Sequence, residues 1–363
     1  VLPQLGCRWW LVVAVLFCWV AAGVAAGDGG GQRLHQKSVH VTGLGASFPA
    51  PLYQNWAVAL NRLHPHIRVD YQSQGSGAGV ENFIRGNVDF AASDVAMRDE
   101  DMAKVPRGVL MLPMTAGSIV LAYHLPGVPT GLKLSRAVYV GIFSGHIRRW
   151  NDPQIQVLNP GVALPDWGIT VVHRADGSGT TAVLTGHLSA ISPAWKQTFG
   201  EGTTIQWPTT GNFVGARGNE GVTAYIQQIP GAIGYVEYGY AHHHRLTVAA
   251  LENKAGVYVV PTPASGAATL AAVALPEHLR ASIRDPEGPD AYPLVTYTWQ
   301  LQYQKQPDVS KAVALEMWLE YGLNEGQKMA AELGYIPLPR GVREQVAQVA
   351  DTLTDQYTIT LKD

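Results

Sequence analysis

The chain has 363 residues, with 26 Lys and Arg against 28 Asp and Glu, a formal net charge of −2, 47% hydrophobic residues and only 15% charged ones. That length exceeds what one hydrophobic core commonly supports, so two lobes are expected, and the apolar content excludes a disordered chain. The low net charge offers no basic field for duplex nucleic acid or an anionic membrane surface, so any bound anion must be held by local geometry.

The first stretch reads as a secretory signal: Arg8, an apolar run over 9–20 and small residues over 21–26, with cleavage expected after Ala26. The run is too short for a membrane span. Both cysteines, Cys7 and Cys18, fall inside it, and the bulky Phe17 argues against Cys18 as a lipid-attachment site. Cleavage removes one basic group, leaving 25 against 28 and a charge of −3, with no cysteine for a disulfide, a thiol nucleophile or a metal. Residues 27–37 read as a disordered, Gly-rich spacer.

Strand-like and helix-like segments then alternate. Strands are expected at 39–42 and 67–72, with a helix over 52–63 introduced by Pro49 and Pro51 and ended before Pro65. A helix over 80–85, strands over 88–92, 109–114 and 118–124, and a strand over 169–174 feeding a helix from Thr180 continue the plan. A helix ending over 225–229, a strand over 232–238, an Ala-rich helix over 264–274 and helices over 310–321 and 325–333 complete it. Such alternation predicts an α/β fold whose lobes hold mainly parallel sheets.

Gly-rich loops precede several of these helices: Gly43-Leu44-Gly45-Ala46-Ser47-Phe48, Gly75-Ser76-Gly77-Ala78-Gly79, Asp176-Gly177-Ser178-Gly179-Thr180-Thr181 and, less clearly, Gly215-Ala216-Arg217-Gly218-Asn219. A helix start leaves its first backbone N–H groups unpaired and carries roughly half a positive charge, which makes it a cradle for an anion. Ser47, Ser76, Ser178 and Thr180 add hydroxyl donors, and Arg174 at a strand end adds a guanidinium fork. Taken singly, each loop reads as an ordinary cap or turn. Three together, one of them just after Arg174, point to a small tetrahedral anion. The Gly215 loop lacks matching hydroxyls and is left as structural.

Enzyme signatures fail. There is no G-x-x-x-x-G-K-[ST] loop, and neither Ser178 nor Ser76 fits G-x-S-x-G, because Asp176 and Gln74 stand where the first glycine belongs. His242, His243 and His244 read as an exposed loop without the spacing of metal ligands. Asp89 and Asp94 could be an acid–base pair, but no positioned nucleophile accompanies them.

With these residues in hand a resemblance emerges. The run from Thr42 through Pro49 and Pro51 to Tyr53, the Gly75 loop, Asp89-Phe90-Ala91-Ala92-Ser93-Asp94, the stretch from Arg174 to Thr181, and Gly231-Ala232-Ile233-Gly234-Tyr235-Val236-Glu237-Tyr238 resemble the phosphate-binding proteins of bacterial high-affinity phosphate ABC importers. The resemblance implies a two-lobed periplasmic binding protein fold of type II, each lobe a mainly parallel sheet flanked by helices, joined by hinge strands. It implies lobes formed by 38–118 with 246–363 and by 119–245. Its site would comprise Ser47, the Phe48 backbone, Ser76, Asp94, Arg174, Ser178, Gly179 and Thr180, with Asp176 supporting Arg174 and no metal or cofactor. Ser47 stands where the family pattern has Thr, which keeps the hydroxyl. The implied partners are inorganic phosphate, with arsenate as a competitor, and the membrane permease and ATPase of an importer. The protein would be a periplasmic monomer that carries out no chemistry. An extracellular phosphatase or a phosphate sensor on the same scaffold is the alternative.

The Asp94 assignment also follows from chemistry. A carboxylate beside an anion repels it unless the anion brings a hydrogen to share; phosphate at neutral pH has one or two and sulfate has none. A helix-cap role for Asp94 is the plainer reading.

Overall fold

The computed structural model describes residues 38–362. The expected signal, the spacer to residue 37, Cys7 and Cys18 lie outside the described residues.

Twelve strands are present among the described residues: β1 (Val39–Gly45), β2 (Ile67–Ser73), β3 (Phe90–Ser93), β4 (Val109–Tyr123), β5 (Lys133–Leu134), β6 (Thr170–Arg174), β7 (Asn212–Ala216), β8 (Ala232–Glu237), β9 (Thr247–Val248), β10 (Ala250–Glu252), β11 (Tyr258–Val259) and β12 (Val295–Tyr303). Hydrogen bonding runs β2-β1-β3-β12-β4-β8-β6-β7 with β9 beside β4, and a small second sheet runs β11-β10-β5. The outer strands are parallel, β1 with β2 and β3, and β6 with β7 and β8. The inner ones are not: β12 is antiparallel to β3 and β4, and β4 is antiparallel to β8 and β9.

This corrects the expectation of mainly parallel sheets. The fold is α/β with a mixed sheet, because β4 and β12 run the length of its centre. β4 is one strand of 15 residues rather than two. It pairs with β12 through Val109–Ser118 and with β8 from Ile119 onward, so a single strand serves both halves. Gly117 in its middle is no break: a methyl there would stand 2.7 Å from the Phe48 ring, so the glycine makes room for that ring. Pro113, which cannot donate to a ladder, is accommodated by a register shift in which Trp299 pairs with Pro113 and Thr298 with Thr115. The residue between, Met114, gives its carbonyl to Gln327 Nε2 at 3.0 Å.

Helices cover the sheet through apolar faces. Leu52, Tyr53, Trp56 and Leu60 of the Ala50–Leu63 helix are buried, at the i, i+3, i+4 spacing of one helix face. Trp56 and Tyr53 meet Trp318 of the Val309–Leu323 helix edge-on, at centroid distances of 5.6 and 5.9 Å. On the other half Tyr139, Phe143, Trp150, Trp195 and Tyr235 are buried together with Ile142 and Leu184. The His242 and His243 side chains are exposed as expected, but they end the Tyr238–His243 helix rather than lie in a loop. Among the described residues no helix is long and apolar enough to cross a membrane.

Candidate functional site

Four helices begin just beyond the carboxyl ends of parallel strands, and the site is built from those junctions. In open α/β sheets that edge is where unpaired helix N-termini gather. β1 leads through Ala46, Ser47 and Phe48 into the Ala50–Leu63 helix, β2 into Ser76–Arg85, β6 into Gly179–Ile191 and β7 into Gly218–Gln228.

The first turn is fixed by its backbone. Ala46 donates to Ala92 O at 2.9 Å, the Tyr240 hydroxyl donates to Ser47 O at 2.7 Å and the Tyr335 hydroxyl to Phe48 O at 2.6 Å. The Ser47 hydroxyl oxygen accepts from Asn219 N at 3.0 Å and from Asn219 Nδ2 at 2.8 Å. Ser76 opens the second helix after Gly75, whose φ of 92° lies in the region that favours glycine. A methyl at Gly75 would also meet Asp176 Oδ2 at 2.4 Å.

Asp94 follows β3, and its carboxyl is held from two sides. Thr298 Oγ1 donates to Oδ1 at 2.9 Å, Ser76 Oγ lies 3.5 Å from Oδ2, and the Asp94 amide donates to Ser76 Oγ at 3.2 Å. Thr296 donates to the Asp94 carbonyl at 2.9 Å. Burial pushes the Asp94 carboxyl up to about 7, against the opposing pull of the Thr298 hydroxyl, Arg174 and Ser76. These contacts do not cap a helix, so the plainer reading of Asp94 is set aside. Asp89 is not its partner: it accepts from the Thr42 amide at 2.8 Å, the Thr42 hydroxyl at 3.1 Å and Lys311 Nζ at 2.7 Å, bracing the sheet.

Across from Asp94 stands Arg174, whose side chain is 1% exposed. Its guanidinium forks onto Asp176 through Nε at 2.8 Å and Nη2 at 2.5 Å, and its amide donates to the Tyr235 hydroxyl at 3.0 Å. Burial works against the charge on Arg174, but the hydrogen bonds and charge of Asp176 outweigh it and hold the guanidinium above its ordinary value. Asp176 is likewise pushed up by burial and pulled further down by Arg174, ending below the usual carboxylate range. The pair stays ionised.

Ser178 caps the Gly179–Ile191 helix by accepting from Thr181 N at 3.1 Å, and its carbonyl takes the Ala182 amide at 3.1 Å. The Gly179 and Thr180 amides, first in the helix, are left without an intrahelical acceptor. Gly179 is pressed against the opposite wall: a methyl on it would stand 2.5 Å from Ser76 Oγ, 2.7 Å from Asp94 Cβ and 2.8 Å from Asp94 Oδ2. Gly77 N donates to Gly177 O at 2.9 Å, and Asn219 Nδ2 reaches Thr180 Oγ1 at 3.5 Å as well as Ser47.

The residues expected to form the anion site thus lie together in one buried constellation, whereas Asp89 and His242 to His244 lie outside it. Ser47, Phe48, Ser76, Asp94, Arg174, Ser178 and Thr180 are each no more than 4% exposed. It presents hydroxyls, two free helix amides and one paired cation around a carboxyl of raised pKa. Chemically it can donate several hydrogen bonds to an anion and accept one back. A groove of about 810 Å³ lined by Val140, Ile147, Trp195 and Phe199 shares none of these residues.

Sequence reasoning missed Thr298, Asn219 and the phenols of Tyr235, Tyr240 and Tyr335. For Thr298 the signal was present: Val295, Tyr297, Trp299, Leu301 and Tyr303 alternate with Thr296, Thr298, Gln300 and Gln302, the period of a strand. Asn219 lies in the fourth Gly-rich loop, read as structural for want of hydroxyls. Gly218 N in that loop donates to Asp176 Oδ1 at 3.1 Å, so the loop serves the site by holding other residues. Tyr235 lies inside the Gly231–Tyr238 run that carries the resemblance, though no role was expected of its phenol, and Tyr240 and Tyr335 come from distant segments without a local signal.

A family model described as a PBP superfamily domain matches residues 25–325. Among curated relatives, the phosphate-binding protein PstS of Pasteurella multocida is 40% identical over 311 residues, 84% of this chain and 88% of its own. That of Xylella fastidiosa strain Temecula1 is 37% identical over 85% of this chain and 84% of its own. Among solved structures, a phosphate-binding protein from Stenotrophomonas maltophilia superposes with a TM-score of 0.69 at 22% identity, covering 85% of this chain and 93% of that one, a likeness of fold.

Proposed function

The chain belongs to the PBP superfamily and, within it, to the phosphate-binding proteins, and from that premise we propose that it binds inorganic phosphate between two lobes and delivers it to an ABC importer for uptake. The lobes are 38–118 with 246–363, and 119–245. Two things support this division: β4 changes partner between Ser118 and Ile119, and the proposed ligands fall on both sides of it. β9 and β10 pair with β4 and β5, so the stretch just after residue 246 runs along the second lobe.

The observation that carries the reading is Asp94, a buried carboxyl facing groups that otherwise donate. Ser47, Ser76, Ser178 and Thr180 give hydroxyl hydrogens, Phe48, Gly179 and Thr180 give amides, and Arg174, kept ionised by Asp176, gives a fork. With Asp94 ionised, above about pH 7, an oxyanion whose oxygens all accept faces it without a hydrogen between them. Phosphate brings that hydrogen; so does arsenate, which competes. Sulfate does not. Mismatch at a site built around specific hydrogen bonds carries a penalty on the order of 10⁴- to 10⁵-fold.

The action is capture and release without turnover, by a periplasmic monomer exported by its leader, with closure read by a permease and its ATPase. Calorimetry tests the core of this reading. At pH 8, where Asp94 is ionised, one phosphate per chain should bind tightly and sulfate weakly, and Asp94→Asn should narrow the gap, since an amide accepts no hydrogen through its nitrogen and repels no anion. Equal binding of both anions by the unaltered protein would overturn the assignment.

A further inference from the structure

We propose that Asn219 is a specificity-setting positioning residue: it occupies both acceptor sites of the Ser47 hydroxyl and so compels Ser47 to donate its hydrogen to the bound anion. This rests on the phosphate-binding reading above and adds to it a residue that touches no anion itself.

A serine hydroxyl has one hydrogen to give and two lone pairs to receive with. In solution it gives or receives as its partner requires. Here Asn219 N at 3.0 Å and Asn219 Nδ2 at 2.8 Å both donate to Ser47 Oγ. Neither nitrogen can accept, so neither can take the Ser47 hydrogen, and among the described residues no other group takes it. The orientation of the amide is fixed from behind, because the Glu237 N–H donates to Asn219 Oδ1 at 2.9 Å. A flipped amide would set that N–H against an NH₂ group. The second hydrogen on Nδ2 points toward Thr180 Oγ1 at 3.5 Å, biasing that hydroxyl the same way. Asn219 is fully buried, so water does not compete for these bonds.

The consequence is a division of labour around the anion. At Asp94 the site reads an oxygen that carries hydrogen; at Ser47 it reads one that does not. An anion with hydrogen on the oxygen facing Ser47 meets a donor with a donor. Asn219 therefore fixes which oxygen of a singly or doubly protonated anion is bare, in addition to the Asp94 test of whether hydrogen is present.

Asn219→Asp tests this, since it keeps the shape but turns the Nδ2 donor into an oxygen that draws the Ser47 hydrogen to itself. Phosphate titrations of the full protein should show affinity falling roughly 10- to 100-fold, the range for losing one hydrogen bond to a charged group. The added charge alone could weaken binding, so the discriminating readout is the same change in a Ser47→Ala background. There the loss should shrink to a few-fold, because no hydroxyl remains to be misdirected. An undiminished loss in that background overturns the proposal. Asn219→Ala, which leaves the backbone N–H donating to Ser47, should bind phosphate better than Asn219→Asp; the reverse order also overturns it. Should Asn219→Asp not fold, the Asn219→Ala loss must itself shrink in the Ser47→Ala background for the proposal to stand. If the unaltered protein binds no phosphate at all, the functional reading fails and this inference with it. Phosphate bound normally with no coupling between the two positions removes the inference alone.

Discussion

Asp94 keeps a carboxyl where an ordinary carboxylate would be driven out, and that has a measurable effect on stability. Below about pH 4 the group is protonated in folded and unfolded chains alike. As pH rises above its ordinary value of 3.8 the unfolded chain ionises freely while the folded one holds its proton up to about 7. Folded stability therefore falls across that window and levels off above it. At about 1.4 kcal/mol per pH unit, the loss from this one group amounts to about 4 kcal/mol. Urea unfolding of ligand-free protein at pH 5 and pH 8 should show Asp94→Asn losing less stability between the two than the unaltered protein. A matched fall in both would mean the carboxyl is ionised at pH 5. Glu237, fully buried and pushed well above its usual range by burial, contributes in the same sense and is unaltered in the comparison. At this scale the sequence was readable where a residue acts through its own loop, as Ser178 and Asp176 do. It was not readable where residues far apart in the chain meet, as Thr298 does Asp94 and Tyr335 does Phe48.

Gly-rich junctions carry the site at the scale of elements, and Gly179 shows what the glycine is for. Its backbone is helical, so alanine there would favour the helix by roughly 0.5–1 kcal/mol. Contact with the opposite wall decides against it. A methyl would sit 2.5 Å from Ser76 Oγ and 2.7 Å from Asp94 Cβ, far inside van der Waals separation, and neither wall is the free end of a long side chain. Gly179→Ala should thus force the two walls apart, weakening phosphate binding by at least about 10-fold, one hydrogen-bond-scale penalty, without raising the melting temperature of the ligand-free protein. A variant that binds normally would show that the two walls do not need to meet. The strand–helix plan around these junctions was legible because its periodicities are local. β12 was overlooked although its alternation is regular, since its polar face, Thr296, Thr298, Gln300 and Gln302, is also buried and does not mark a solvent side. Trp318 Nε1 donates to Gln300 Oε1 at 3.0 Å and Gln302 Nε2 donates to the same oxygen at 3.1 Å, which pairs part of that face internally. Helix starts were misjudged by a few residues, Ser76 against an expected 80, because Gly-rich first turns carry little apolar signal.

On the scale of the whole molecule the question is what holds the two walls together. The contacts that cross between 38–118 and 119–245 near the site are few and polar: Asn219 with Ser47, Tyr240 with the Ser47 carbonyl, Gly77 N with Gly177 O, and Ser73 Oγ to Glu220 Oε1 at 3.4 Å. Each such bond is worth roughly 0.5–1.5 kcal/mol net, and in an open arrangement water would satisfy the same groups. A bound anion adds what these contacts lack, a charge that Arg174, the helix amides and hydroxyls from both walls engage at once. Ligand free energy should therefore appear as closure and stability together. Phosphate at about 1,000 times its dissociation constant stabilises the folded chain by about 4 kcal/mol, a rise in melting temperature on the order of 5–15 °C for a chain of this size. Small-angle scattering on the same samples should show the radius of gyration falling on phosphate addition, and neither quantity should move with sulfate at equal concentration. A large thermal shift with an unchanged radius would mean that the ligand enters a cleft already closed by the contacts between the lobes.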